Sequence, residues 1–389
     1  MSRHQSPSQR RRRLVFVSHN AVWGGSEELW SATAAELAER GHEVAAITIP
    51  AFRDALSIKR LKAAGGRVHA LYGRFSAPGN SRLLRFLARR IQPLLLRLRL
   101  ATLPRPDLVV ISQGDNFAAH QTANACAAAG LPYALITQKA QEAVWAPDAM
   151  LGSIRRAYAG AAWSYFVSRH NLRLTEEQLG QSLRPKASVV GNPFLTSWEA
   201  PLTWPEESGA YRLACVGRLY PFEKGQDLLL RVLAAPKWQA RPLSVTLYGE
   251  GPHRQGLEAM ALHLGLASVR FAGFAADVDA VWDSHHGLVL PSRGEGLPLV
   301  LVEAMLRGRV PIVTDVAGNA EVVTDNQTGF VAAAAAEAAV DEALERAWAR
   351  RAEWRTMGQA AAASIRTLVP KNPAAAFADE LLRLLDAGS

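Results

Sequence analysis

LVFVSHNAVWGGSEELWSATAAELAERGHEVAAIT, Leu14 to Thr48, is the stretch that decides the fold. LVFVS, Leu14–Ser18, is a short unbroken apolar run and reads as a buried strand. Gly24 and Gly25 then make a tight turn, and Ser26 is placed to cap a helix running to about Arg40. Gly41 ends that helix, and EVAAIT opens a second apolar run. Strand, glycine turn, helix and strand make one unit of a parallel α/β sheet. The glycine turn also lets backbone N–H groups approach a phosphate. GGSEE lacks the third glycine of a dinucleotide fingerprint, so a nicotinamide-dependent oxidoreductase is disfavoured.

The same grammar continues along the chain. RVHAL, LVVIS (Leu108–Ser112), YALIT (Tyr133–Thr137), AWSYFVS and ASVVGNPF read as further strands. Gln138, Lys139 and Glu142 are placed in the loop after YALIT. Residues 195–211 carry Pro201 and Pro205 and lack periodicity, which marks a linker. A second α/β half begins at YRLACVGRLY, followed by PFEKGQDLLLRVLA. Its first loop holds Arg218 and Lys224, a fork and a point charge suited to a diphosphate. The expected organisation is a basic tail over 1–13, a first α/β domain over 14–200 and a linker over 201–211. A second α/β domain over 212–370 follows, then a C-terminal helix over 371–389 that packs back on the first domain.

In PSRGEGLPLVLVEAM, Pro291 to Met305, a glycine-rich turn follows the apolar strand GLVL. Pro298 suits the first position of a helix, where a missing N–H costs nothing. Glu295 lies in the loop and Glu303 within the helix. Helix N-termini attract anions, and carboxylates accept hydrogen bonds from paired hydroxyls. On spacing alone the plainer reading is favoured, with Glu295 a cap and Glu303 in solvent.

The chain has 389 residues, enough for two domains, with 49% hydrophobic and 20% charged residues. The net charge of +9 is concentrated in Arg10–Arg13 and in the stretch Arg82–Arg99. Neither is interleaved with aromatic residues, so nucleic acid is not the expected partner. The second stretch, RLLRFLARRIQPLLLRLRL, fits either an amphipathic segment on an anionic membrane or a surface helix feeding leucines to the core. Cys126 and Cys215 are too few for a disulfide framework, and no secretory signal or membrane-length apolar run is present. The expected location is cytoplasmic, with contact at the inner face of the membrane.

VGRLYPFEKGQDLLL, LYGEGP, PSRGEGLPLVLVEAM and PIVTDVAGNAEVV together resemble the donor-binding half of family 4 retaining glycosyltransferases, and WGGSEE resembles their N-terminal glycine loop. The resemblance spans residues 14–370 and is densest over 213–330. It implies the GT-B architecture, two Rossmann-like domains facing across a cleft, with 14–200 the acceptor domain and 212–370 the nucleotide-sugar donor domain, and a UDP- or GDP-sugar donor with a glycan or lipid-linked acceptor. It implies that Arg218 and Lys224 hold the diphosphate, that Glu303 holds the ribose and that Glu295 touches the transferred sugar. Gly24 and Gly25 would approach the phosphate, backbone at Phe274 the base, and the amides of Leu297 and Leu299 the phosphate. Arg218, Lys224 and Glu295 would be the catalytic set of a metal-independent hexosyltransferase of polysaccharide biosynthesis that needs no cofactor.

Two departures stand out. Relatives often carry a histidine after the strand matching YALIT, where this chain has Gln138, a neutral contact for donor sugar or acceptor. They also often carry two glycines where Ala317-Gly318 stands. Asp277-Val278-Asp279 has the form of a metal-binding triplet, yet it opens a helix and reads as a cap. His120, His285 and His286 read as structural. The alternatives are a sugar-nucleotide epimerase or sugar phosphorylase on the same architecture, or a non-catalytic partner of another transferase.

Overall fold

The computed structural model describes residues 10–18, 20, 23–48, 55–70, 94–205 and 209–387. The tail over 1–9 and the part of the arginine-rich stretch up to residue 93 lie outside them. Among the described residues the chain forms two compact units. One takes the chain through Val167, then Leu172–Pro193 and the segment from Asn372; the other takes Ser168–Asn171 and Phe194–Lys371.

The first unit is built on a seven-stranded sheet in the order β3-β2-β1-β4-β5-β6-β7. Its strands are β1 (Arg13–Ser18), β2 (Glu43–Thr48), β3 (Arg67–Ala70), β4 (Leu108–Asp115), β5 (Tyr133–Lys139), β6 (Trp163–Phe166) and β7 (Ala187–Val189). Every pairing is parallel. Both faces are covered, which explains why the strands read as apolar runs and not as alternating patterns. Leu14, Phe16, Val110 and Ile136 pack against helices Gly25–Glu39 and Pro373–Ala387. Val15, Val17, Ile111 and Leu135 pack against helices His120–Ala128 and Asp148–Ala159 on the other face.

The second unit repeats the plan with six strands in the order β10-β9-β8-β11-β12-β13. These are β8 (Tyr211–Val216), β9 (Leu243–Tyr248), β10 (Val269–Gly273), β11 (Gly287–Leu290), β12 (Val310–Thr314) and β13 (Phe330–Ala332). All are parallel. In each unit the third, second and first strands run outward one way and the fourth, fifth and sixth the other. The order reverses between β1 and β4, and between β8 and β11. Loops leaving the C-terminal ends of such a pair diverge and leave a crevice for ligands.

Three local expectations need correction. The first helix begins at Gly25, with Gly24 as an extended N-cap and no side-chain cap, so Ser26 lies inside the first turn. Pro298 is the N-cap of helix Leu299–Leu306, not its first residue. β5 runs on to Lys139, so Gln138 and Lys139 end a strand and do not lie in a loop. Pairing of Lys139 with Asp115 of β4 carries the strand two residues past its apolar run.

Candidate functional site

In the second unit the site is assembled from the two loops beside the β8/β11 reversal. After β8 the chain passes Arg218 and makes one helical turn, Pro221–Lys224. Gly225 follows with φ +63°, and a Cβ there would stand 1.9 Å from the Pro291 carbonyl oxygen. Only glycine fits, and its absence of side chain lets the two loops touch backbone to backbone. Lys224 Nζ then reaches both carboxylate oxygens of Glu295 at 2.7 Å. The Glu295 side chain is 6% exposed, and Ser292 Oγ donates to its Oε1 at 2.8 Å. Thr314 Oγ1 in turn donates to the Ser292 carbonyl at 2.6 Å. Glu295 therefore does not cap the helix; it faces a lysine across the reversal.

The other cations here also have carboxylate partners. Arg218 donates to Glu223 Oε2 at 3.0 Å and lies over the Tyr220 ring at 4.9 Å. Arg293 grips Asp227 with two bonds, of 2.6 and 2.9 Å. Arg218 is the most open of the three, with a side chain 43% exposed.

Glu303 sits inside helix Leu299–Leu306 and is buried, against the solvated reading. Its Oε1 accepts from the Leu195 N–H at 2.9 Å. Burial pushes its carboxyl up to about 7, with a further rise from Asp279 and a counteracting pull from the Leu195 bond. Leu297 and Leu299 are half-buried at the start of this helix, and Leu297 packs on the apolar core beneath it. Phe274 follows β10 and is 77% exposed. Ala317 adopts φ +51°, a conformation that costs a side-chain-bearing residue about 1 kcal/mol. Gly318 donates to the Gly296 carbonyl at 2.8 Å, and a Cβ there would meet that oxygen at the same distance. The second position of the pair thus needs glycine for contact, and the first bears the strain.

Asp277 accepts from the Ala280 N–H at 3.1 Å, a true N-cap. Asp279 accepts from the Thr196 hydroxyl. Among the described residues no group of three or more His, Cys, Asp or Glu is placed to hold a metal ion. His286 Nδ1 accepts from the Arg212 N–H at 3.0 Å, and burial beside arginines lowers its pKa to about 4. His285 bonds the Val281 carbonyl through Nδ1 at 2.8 Å, and His120 the Phe117 carbonyl at 2.9 Å. All three act structurally.

In the first unit Glu27, which the sequence reading missed, ties the end of β1 to the first helix. Its buried carboxylate accepts from Ser18 Oγ at 2.6 Å, Trp30 Nε1 at 2.8 Å and Asn20 Nδ2. Burial raises its pKa and the three donors pull against that rise. Gly24 is exposed, and Gly25 is half-buried at the helix start. Gln138 is buried and its Oε1 accepts from Asn192 Nδ2 at 3.0 Å. Gln138 Nε2 and Asn192 Oδ1 lack protein partners. Flipping both amides still leaves one donor and one acceptor unused.

The family model "Glycosyl transferases group 1" matches residues 210–350. A GDP-mannose-dependent alpha-(1-6)-phosphatidylinositol monomannoside mannosyltransferase of Mycolicibacterium smegmatis is 34% identical over 133 residues, covering 31% of this chain and 34% of that protein. The alpha-D-kanosaminyltransferase of Streptomyces kanamyceticus is 30% identical over 134 residues, covering 34% of each. The chain thus spans about a third of the length of these relatives. HepE of Anabaena, solved with UDP-glucose, matches at TM-score 0.71 and 18% identity over 97% of this chain and 100% of that one. Sucrose-phosphate synthase of Thermosynechococcus elongatus matches at TM-score 0.74 and 18% identity, with the same coverage. The fold is therefore GT-B, and the region that matches the group 1 glycosyltransferases is the one that carries the Lys224–Glu295 pair.

Proposed function

We propose that the chain is a retaining glycosyltransferase of family 4 that moves a sugar from a nucleotide-diphosphate sugar to a hydroxyl of a glycan or lipid-linked acceptor. The observation that carries this is the Lys224–Glu295 pair at the β8/β11 reversal, with Arg218 on the same loop. Lys224 and Arg218 hold the diphosphate, and the N-terminus of helix Leu299–Leu306, with the amides of Leu297 and Leu299, adds its positive end. Glu295 touches the transferred sugar, Glu303 the ribose hydroxyls and backbone at Phe274 the base. Gly24 and Gly25 let the first unit's loop approach phosphate and acceptor. The unused donor and acceptor of Gln138 and Asn192 support a contact with a sugar hydroxyl.

In the reaction the anomeric C–O bond to the diphosphate breaks as the acceptor oxygen bonds the same carbon from the same face. The acceptor proton passes to the leaving diphosphate. Negative charge on the phosphate peaks in the transition state, so fixed cations there accelerate the step and do the work a divalent ion does elsewhere. UDP in the HepE structures and GDP-mannose in the name of the mycobacterial relative support a UDP- or GDP-sugar donor. Among the described residues no helix is long and apolar enough to cross a membrane; a cytoplasmic location with peripheral contact at the inner membrane face belongs to the same proposal.

Thermal stabilisation by a panel of nucleotide sugars identifies the donor, and transfer is then measured with and without chelator. Lys224→Ala is expected to lower turnover roughly a hundredfold, about 3 kcal/mol, with little change in nucleoside affinity. Activity abolished by chelator and restored by magnesium or manganese would refute the metal-free mechanism. Product formation that depends on inorganic phosphate would identify a phosphorylase.

A further inference from the structure

We infer that Arg293 is a positioning residue that sets the Lys224–Glu295 contact and does not itself bind the anion. This rests on the transferase reading for its kinetic consequence but not for its geometry. Arg293 stands in the glycine-rich loop two residues before Glu295, where a basic side chain reads naturally as a phosphate ligand. The structure gives its guanidinium other work. Nη1 donates to Asp227 Oδ1 at 2.6 Å and to the Pro221 carbonyl at 2.7 Å, and Nη2 donates to Asp227 Oδ2 at 2.9 Å. The backbone joins in, with Arg293 N and Gly294 N donating to the Glu223 carbonyl at 2.7 and 3.1 Å.

Every one of these bonds runs from the loop after β11 to the segment after β8. Pro221 and Glu223 lie in the turn that carries Lys224, and Asp227 opens the next helix. Asp227 is itself held by Arg231 at 2.8 Å. The fork therefore grips the lysine's segment on both sides of Gly225, where the two backbones already touch. Lys224 is a flexible four-carbon arm, so the geometry of its bond to Glu295 depends on how the two loops are registered. A fork-to-fork bond defines a plane as well as a distance, and a lysine at 293 would define neither. Misplacement of reacting groups by an ångström costs on the order of a hundredfold in rate.

The test uses the full chain with Arg293→Met, Arg293→Lys, Asp227→Asn and the double variant Arg293→Met/Asp227→Asn. Arg293→Met is expected to lower kcat about tenfold or more while KM for the donor stays within about twofold. Arg293→Lys recovers only part of the loss. The double variant is no worse than Arg293→Met alone, because both changes open the same clamp. A second arm needs no substrate: acylation of amines by an activated ester, resolved by site. Lys224 is expected to label several times faster in Arg293→Met, with Lys237 and Lys371 as internal references. A rise in KM matching the fall in kcat would make Arg293 a donor ligand and overturn the inference. Additive losses, or Lys224 labelling unchanged in Arg293→Met and Arg293→Lys, would overturn it too. If the wild type transfers sugar from no nucleotide sugar, the functional reading fails while the labelling arm still decides the clamp.

Discussion

Glu303 keeps its proton up to about pH 7 because its carboxyl is buried with one backbone N–H for company. Its folded pKa lies above the unfolded value, so its contribution to stability is fully present below about pH 4.5 and is lost as pH rises through 7. The loss is on the order of 3 kcal/mol. Urea unfolding at pH 5.5 and 8.5 should show this slope in the wild type and a flatter one in Glu303→Gln, which keeps the acceptor for Leu195. Equal slopes would show that burial does not govern this carboxyl. Glu295, Glu303, Arg218 and Lys224 stand out as candidates in the sequence through the resemblance, whereas spacing alone makes Glu295 a cap and Glu303 solvated. It could not show which carboxylate each cation meets. Arg293 and Asp227 are 66 positions apart, and only the reversal of strand order brings them together. Asn192 was invisible for the same reason, since its partner lies 54 positions away.

Elements were read more securely than their ends. Apolar runs bounded by glycine and proline placed the strands, because the central strands of parallel sheets covered on both faces, such as β1, β2 and β12, are buried almost throughout. β5 outran its apolar core by two polar residues, and Pro298 sat one position outside its helix. The described end of the leucine-and-arginine stretch sends one pair of leucines to the core and leaves another pair exposed. Residues 94–101 are helical, with Leu96 and Leu100 buried in the core and Leu94 and Leu98 58% and 57% exposed. A spacing of four puts each pair on its own face. Arg97 and Arg99 are exposed beside the outer pair. Vesicles of anionic lipid at low salt are expected to retain the protein, and Leu94→Ser with Leu98→Ser to weaken retention about tenfold. Retention unaltered by these changes, and by Arg97→Gln with Arg99→Gln, would locate any membrane contact elsewhere.

At the scale of the whole molecule, the same strand order is used twice and the last helix is packed in the first unit. Helix Pro373–Ala387 lays Phe377, Leu381 and Leu382 into that unit's core. Phe377 meets Tyr165 edge-on at 4.8 Å, Arg12 pairs with Asp386 at 2.6 Å and Ser188 donates to Glu380 at 2.9 Å. Three large buried side chains represent about 6 kcal/mol of transfer free energy, comparable with the stability of an ordinary domain. A chain cut after Lys371 should therefore lose protease resistance in the first unit before the second, as limited proteolysis with fragment mapping would show. Parallel loss from both units would mean that the helix is not specific to the first.

That packing also has a consequence for how the protein is made. Helix Gly25–Glu39 meets its cover at Ala374, whose carbonyl Thr33 reaches from 341 positions earlier. At about 5–20 residues per second, the ribosome leaves that stripe bare for tens of seconds. The second unit lies almost entirely within the interval and carries its own sheet, so it is synthesised later yet closes sooner. The face around Thr33 is therefore the last part of this helix to gain its cover, while Trp30 already has Phe16 and Trp23 beside it.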